Sequence, residues 1–274
     1  MKELLKLNKD NYFSLEANRQ YMSVSQFKGF LPSYGGCEAQ SMAKLAGEWE
    51  DAPKGAFDEG HYLHAWNEGT LSEFKANHPD IYSSQGATKG QLKANFKHLN
   101  KLIEVLENDP MVMDVLAGRK EVIMTAEFHG IPWKIMIDSY QVEVGVFADL
   151  KGLKSIDGKW WNKEAQAYEN FIEHYGYDIQ MGVYAEIEKR HSSGTEWLLP
   201  HMVIVTKETV PDHEIIYFDY NDITRGLNIV ANNIERVKAV KSGLAKPIRC
   251  ERCDYCKSTK KITRVKLVSE LSLY

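Results

Sequence analysis

The run VEVGVFADLKG, Val142 to Gly152, most constrains what this chain can fold into. It is largely apolar until it ends in an acid and an amine two positions apart, Asp149 and Lys151. Such a run reads as a central strand covered on both faces, where an unpaired ion is costly, so the charges at its end need partners or a task. Strand side chains alternate, which puts Asp149 and Lys151 on one face and Leu150 in the opposite layer. Two further β-rich runs precede it, EVIMTAEF and PWKIMIDSY, separated by HG and followed by a tight turn placed near Tyr140 and Gln141. The three read as successive antiparallel strands. Pairing through the turn brings a second carboxylate, Asp138, beside the first pair.

Two carboxylates with open positions suit an octahedral, oxygen-preferring Mg²⁺ or Mn²⁺. Phosphodiester hydrolysis has use for that set, because it needs a hydroxide at neutral pH and neutralisation of growing charge, and a bound cation supplies both. A lysine two residues beyond the acid can orient water and offset charge. An acid-x-lysine pair alone is weak, since charged residues often alternate on a solvated sheet face; the apolar run before it changes the weight.

Around these strands the spacing is helical. Ser23 or Ser25 caps a short helix through Phe30, LPSYGG breaks it, and a new helix runs from near Cys37 through Ala46. Apolar periodicity predicts helices over 56–74 and 91–106, then over 165–174 and 177–189, and a long closing helix over 221–242. HMVIVTKE and EIIYFDY read as two more strands. The division is therefore one domain over 1–274: a mainly helical part (1–118), a catalytic sheet with helices (119–220), and a closing helix with a cysteine loop (221–274). With 274 residues and 43% hydrophobic content, one sizeable core suffices.

No segment approaches the run of ~20 apolar residues of a membrane span, and MKELLKLNKDNYF lacks the apolar stretch of an export signal, so a soluble cytoplasmic protein is expected. A formal charge of -4 excludes a protein that coats nucleic acid by bulk electrostatics, although a local basic strip is compatible with it. KGLKSIDGKWWNK is such a strip, with Lys154, Lys159 and Lys163 around Trp160 and Trp161; a DNA contact and a plain solvated loop are equally open readings. The basic stretch Lys257 to Lys266 reads as a solvated tail.

With those residues in view, the sequence resembles the RecB-like branch of the PD-(D/E)XK nucleases, and within it the RecE-type phage exonucleases. GHYLHA, with Gly60 and His64, matches the upstream histidine element. Asp138 and Asp149 match the motif acids, Lys151 the lysine, and Gln180 with Tyr184 in YDIQMGVYAEI the downstream glutamine-tyrosine element. Four elements in the right order are hard to obtain by chance. The resemblance implies an α/β restriction-endonuclease-like core, a central mixed sheet flanked by helices, with the helical N-terminal region stapled to the C-terminus. It implies that His64, Asp138 and Asp149 hold Mg²⁺ or Mn²⁺, that Lys151 assists the water, and that Gln180 and Tyr184, four apart on one helical face, set the site. Glu121 resembles an additional family acid, with Glu127 as the alternative. DNA, as duplex ends or single strands, is the implied substrate. No phosphate-binding loop of a motor is present, so processive digestion would use a ring-like homo-oligomer, and the family analogy points to end resection beside a single-strand annealing protein. Two other readings remain open: a non-catalytic nucleic-acid-binding module, and a zinc-stabilised interaction protein whose acids decorate a sheet edge.

All four cysteines fall into one layout, Cys250, Cys253 and Cys256 in CERCDYC with Cys37 far upstream. A C-x₂-C-x₂-C run with a remote partner resembles the way iron-sulfur nucleases of the AddB and CRISPR-adaptation types surround a 4Fe-4S cluster. Zn²⁺ is the alternative, since four thiolates satisfy its tetrahedron.

Overall fold

The computed structural model describes residues 4–52, 55–162, 166–265 and 267–268, with backbone only at 55–58. Helices dominate the first part, and their ends follow from local chemistry. Ser14 caps α1 (Leu15–Gln20) and Ser23 caps α2 (Val24–Gly29), each accepting a backbone N–H of the first turn. Cys37 precedes α3 (Glu38–Ala46), close to the expected start. Gly36 is needed here: a Cβ would lie 2.5 Å from the Lys28 carbonyl oxygen, so only glycine lets the entry to α3 lie against the end of α2.

The helix expected over 56–74 is two helices, α4 (Gly55–Glu68) and α5 (Leu71–Asn77), parted at Gly69, whose φ of 83 ends the first. α6 (Ala94–Glu107) and the short α7 (Pro110–Val115), capped by Asp109, complete this part.

β1 (Arg119–Phe128), β2 (Ile131–Gln141) and β3 (Val146–Leu153) are the three antiparallel strands the sequence predicts. The turn between the last two is later than expected: Val142–Val144 form a 3₁₀ turn closed by Gly145, φ 75. The segment read as helix from 165 is different. β4 (Trp160–Asn162) and β5 (Ala167–Glu169) form a small hairpin, and only then does α8 (Phe171–Tyr175) begin, because Asn170 and Glu173 form a capping box there. α9 (Tyr177–Ser192), β6 (Leu199–Thr206), β7 (His213–Tyr217), α10 (Tyr220–Lys241) and α11 (Asp254–Ser258) follow.

The main sheet has the order β1-β2-β3-β6-β7, with β3 and β6 parallel and the other neighbours antiparallel, so it is mixed. Each face carries a buried layer. Phe147, Met202 and Ile204 pack with Ile179, Val183 and Ile187 of α9 and Val230 and Ile234 of α10. Ala148, Leu150, Val203 and Val205 pack with Tyr62 and Leu63 of α4 and Leu99, Leu102 and Leu106 of α6. The alternation expected for β3 holds, and Leu150 lies in the layer opposite Phe147. α9 and α10 meet backbone to backbone at Gly226, where a Cβ would lie 2.1 Å from the Asp178 carbonyl oxygen. That close approach fixes α9 over the sheet. Among the described residues no helix is long and apolar enough to cross a membrane.

Candidate active site

The strand ladder stops where the acids begin. β2 and β3 pair at Gln141–Val146, Tyr140–Phe147 and Ser139–Ala148 and no further. Beyond that point Asp138 takes over the vacated backbone donor, its Oδ2 accepting from the Leu150 N–H at 2.8 Å. β1 is interrupted at the same level. Pairs Lys120–Ser139 and Val122–Ile137 flank Glu121, which is left-handed at φ 52 in the middle of a strand. The faces change there: Val122, Met124 and Phe128 join the layer under α9, whereas Lys120 turns to Asn67 of α4, at 2.7 Å. A left-handed glutamate costs on the order of 1 kcal/mol or more and persists only where its surroundings enforce it.

α4 supplies the next group. Asn67 donates to the Asp138 carbonyl at 3.3 Å and to Ser139 Oγ at 3.4 Å, pinning the helix to β2. One turn earlier His64 is placed with Nδ1 3.3 Å from Asp138 Oδ2. The donor atoms of His64, Glu121 and Asp138 lie within 4.8 Å of one another.

Asp149 and Lys151 share a face as the alternation requires, with Nζ 2.5 Å from Asp149 Oδ2. The Lys151 ammonium is the partner of the fully buried Oδ2. Oδ1 is held by Gln180 Nε2 of α9 at 2.7 Å. All of these groups line one cleft of about 1220 Å³ between the N-terminal helices and the sheet, together with Tyr184, Tyr177 and Lys28.

Charge is unevenly settled in this cleft. Burial alone would raise Asp138, but His64, Lys151 and the Leu150 N–H outweigh it and hold the carboxyl below its usual range. Burial would depress His64, yet Asp138 lifts the imidazole above its ordinary value. Asp149 goes the other way, raised by burial and by the charge of Asp138 against the pull of Lys151. Burial and Asp138 push Glu121 up to about 7. Lys151 stays firmly protonated, because Asp149 and Asp138 more than offset its desolvation. Burial raises Tyr184 well above the ordinary phenol.

The donor set passes a test for a divalent cation. The imidazole of His64 and the carboxylates of Glu121 and Asp138 converge within 4.8 Å, a donor set that suits a hard cation, and the buried Asp149 carboxylate lines the same cleft. At 3% and 6% exposure, Asp149 and Asp138 do not decorate a sheet edge, which removes the main support for a plain interaction protein.

Of the residues singled out in the sequence, His64, Glu121, Asp138, Asp149, Lys151, Gln180 and Tyr184 all come together, and Glu127 is exposed away from the cleft. The basic strip does not join them. Lys154 and Lys159 are exposed and outside the cleft lining, Trp160 stacks on His174 with centroids 4.8 Å apart, and Lys163 lies outside the described residues. Two cleft residues carried no advance signal strong enough to be chosen. Tyr177 is three positions before Gln180 on the same helix, its ring 5.7 Å from Lys151 Nζ, and helical spacing could have found it. Lys28 reaches the cleft from α2, donating to the Tyr175 carbonyl at 2.8 Å; nothing in its local sequence marks it.

Residues 23–259 match the family described as a PDDEXK-like domain of unknown function (DUF3799). The chain belongs to this family. A protein from Eubacterium rectale whose crystal structure carries the name "Putative exonuclease" is 39% identical, aligns with a TM-score of 0.90, and is covered over 98% of this chain and 99% of that one. A second solved structure, SSO0001, aligns over 91% of this chain and 94% of that one at 13% identity and a TM-score of 0.33, too far to carry argument. No curated protein matches. The PDDEXK-like fold is the mixed sheet with flanking helices described above.

Proposed function

We propose that this PDDEXK-like chain is a divalent-cation-dependent deoxyribonuclease that degrades DNA from ends, and that its cleft is the hydrolytic site. The observation that carries the reading is the convergence of His64, Glu121 and Asp138 within 4.8 Å in a cleft that also holds the buried Asp149–Lys151 pair. Mg²⁺ or Mn²⁺ held by His64, Asp138 and Asp149, with Glu121 at its edge, would supply a nucleophilic water at neutral pH and offset phosphate charge.

The chain's own groups set the rest. Gln180 fixes one oxygen of Asp149 so that the other stays aimed into the cleft. Lys151, held protonated, places a positive charge where the phosphate gains negative charge, and Lys28 adds a second cation on the same wall. Asn67 holds the Asp138 backbone, so the carboxylate does not swing when charge changes. Glu121, protonated or not near neutrality, is suited to exchange a proton with water or a leaving oxygen. The E. rectale protein's name favours an exonuclease over an endonuclease. With it go the finer readings: a ring-like homo-oligomer on DNA, end resection in phage-type recombination beside a single-strand annealing protein, and work in the cytoplasm.

The test compares linear duplex, nicked circular and single-stranded DNA with Mg²⁺, Mn²⁺ or chelator. The reading expects nucleotide release from linear ends only with cation, lost in Asp149→Asn. Substrates left intact with both cations, or an Asp149→Asn variant that cuts like the parent, would overturn it.

A further inference from the structure

The four cysteines converge as the sequence layout suggests, but at a spacing that separates the two metal readings. Cys37 Sγ is 3.6 Å from Cys256 Sγ, Cys250 Sγ is 4.0 Å from Cys256 Sγ, and all four sulfurs lie within 4.8 Å of one another. Zinc–thiolate bonds of about 2.3 Å in a tetrahedron put the sulfurs about 3.8 Å apart. A cubic iron-sulfur cluster binds each cysteine to a different iron, outside a cube already filled by inorganic sulfide, so its cysteine sulfurs stand roughly 6 Å apart. Sulfurs at this spacing fit around one ion and stand too close together for an eight-atom cube between them.

The backbone around the sulfurs is arranged for a bound cation. Cys250 Sγ accepts the Arg252 and Cys253 N–H groups at 3.5 and 3.3 Å, Cys253 Sγ accepts the Cys256 N–H at 3.4 Å, and Cys37 Sγ accepts the Cys250 N–H at 3.5 Å. Three of the four sulfurs thus accept backbone N–H groups, an arrangement that suits thiolates on zinc or on iron, so the choice between the two rests on the sulfur spacing. We propose that Cys37, Cys250, Cys253 and Cys256 form a mononuclear tetrathiolate zinc site, not an iron-sulfur cluster.

The position of the site gives the ion a task. Beside it, Glu38 receives Arg236 of α10 through both oxygens and the Ile248 N–H at 2.6 Å, so the start of α3, the end of α10 and the cysteine loop form one knot. Cys37 in turn donates its N–H to the Gly29 carbonyl at 2.8 Å, next to Lys28. The zinc therefore anchors the entry of α3, which lies against the end of α2, the helix that presents Lys28 to the cleft. It acts as a staple remote from the carboxylates.

The test reads the metal directly and is independent of nuclease activity. The full chain, purified under anaerobic conditions from cells supplied with both iron and zinc, is assayed for metal and acid-labile sulfide. One zinc per chain with negligible sulfide is expected, and replacement by Co²⁺ should give the intense visible bands and sulfur-to-cobalt charge transfer of a tetrahedral thiolate site. Those bands should be lost in Cys253→Ser and unchanged in Asp149→Asn, which separates this site from the carboxylate cleft. Brown protein with stoichiometric iron and sulfide would overturn the proposal. So would a metal-free chain that takes up no Co²⁺, or cobalt bands that survive in a folded Cys253→Ser chain.

Discussion

The carboxylate cleft and the cysteine knot each gather four ligand-competent side chains, the cleft from separate elements and the knot from one short loop and Cys37, but they treat those side chains differently. In the knot the sulfurs are supported by backbone donors and the surrounding loop is tied by Glu38 to Arg236 and Ile248. In the cleft a buried aspartate oxygen has only an ammonium for a partner, a glutamate is held left-handed in mid-strand, and burial raises two of the carboxyls. The difference teaches where the chain keeps its stability and where it gives some up. Backbone strain is common to both, since Glu251 in the cysteine loop is left-handed at φ 58 as Glu121 is in β1, so the contrast lies in charge: the cleft concentrates buried carboxyls, whereas the knot ties its loop with paired groups.

The largest effect that would break this contrast lies in the cleft. Asp149→Asn should reduce cleavage of linear duplex DNA by on the order of 10³-fold or more. It also removes the carboxylate partner of the buried Lys151 ammonium, so thermal unfolding without added cation should shift to a lower Tm. Parent-level cutting would sink the catalytic assignment, and an unchanged Tm would show that the Asp149–Lys151 pair adds nothing to the fold.

Next in size is the mirror experiment in the knot. Cys253→Ser should destabilise the chain by roughly 3 kcal/mol, about 6–12 °C in Tm for a domain of this size, and chelator should do to the parent what the substitution does. Differential scanning calorimetry with and without chelator checks both. If the variant melts with the parent, the knot is not a staple and the contrast fails from its other side.

A third change sharpens the boundary between holding and reacting. His64→Gln should raise the Mg²⁺ concentration needed for half-maximal cleavage by at least about 10–100-fold, with maximal rate at saturating cation falling less. A variant with an unchanged Mg²⁺ requirement would remove His64 from the cation's surroundings and leave it only as the partner of Asp138.

Much of the cleft was legible in the sequence because its residues obey strand and helix periods. The alternation in FADLKG put Asp149 and Lys151 together, and spacing of four put Gln180 and Tyr184 on one face. What was not legible is what two strands do to each other. The end of the β2–β3 ladder at Ser139–Ala148 and the kink at Glu121 are properties of the pairing, and no single segment carries them. The turn was placed early because VEV alternates like a strand, and only the left-handed Gly145 reveals the 3₁₀ turn. Apolar spacing over 165–174 reads as helix and hides β5, although the capping pair Asn170 and Glu173 marks the later start of α8. The layout of the cysteines announced that they would meet, but the spacing of their sulfurs exists only in three dimensions.

The smallest prediction concerns Lys28, which belongs to both regions: its helix abuts the knot and its ammonium lies in the cleft. Burial, followed by the charge of Lys151, lowers Lys28 from 10.5 to about 8. One group then gives two slopes of opposite sign. Between about 8 and 10.5 the unfolded chain binds a proton at Lys28 that the folded chain has lost, so the stability contribution from this group rises with pH across that window and is least favourable below 8. Attraction for phosphate runs the other way, present below about 8 and fading above it. In an Asp149→Asn background, where DNA is bound but not cut, duplex affinity should fall roughly fivefold from pH 7 to 9, the effect of about 1 kcal/mol from one charge near water. Lys28→Met should flatten that fall and, in urea titrations, the rise in stability together. Fluorescence anisotropy follows the first slope and tryptophan emission the second. If only the affinity slope flattens, Lys28 serves the cleft without bearing on the fold, and if only the stability slope does, its charge never meets the DNA.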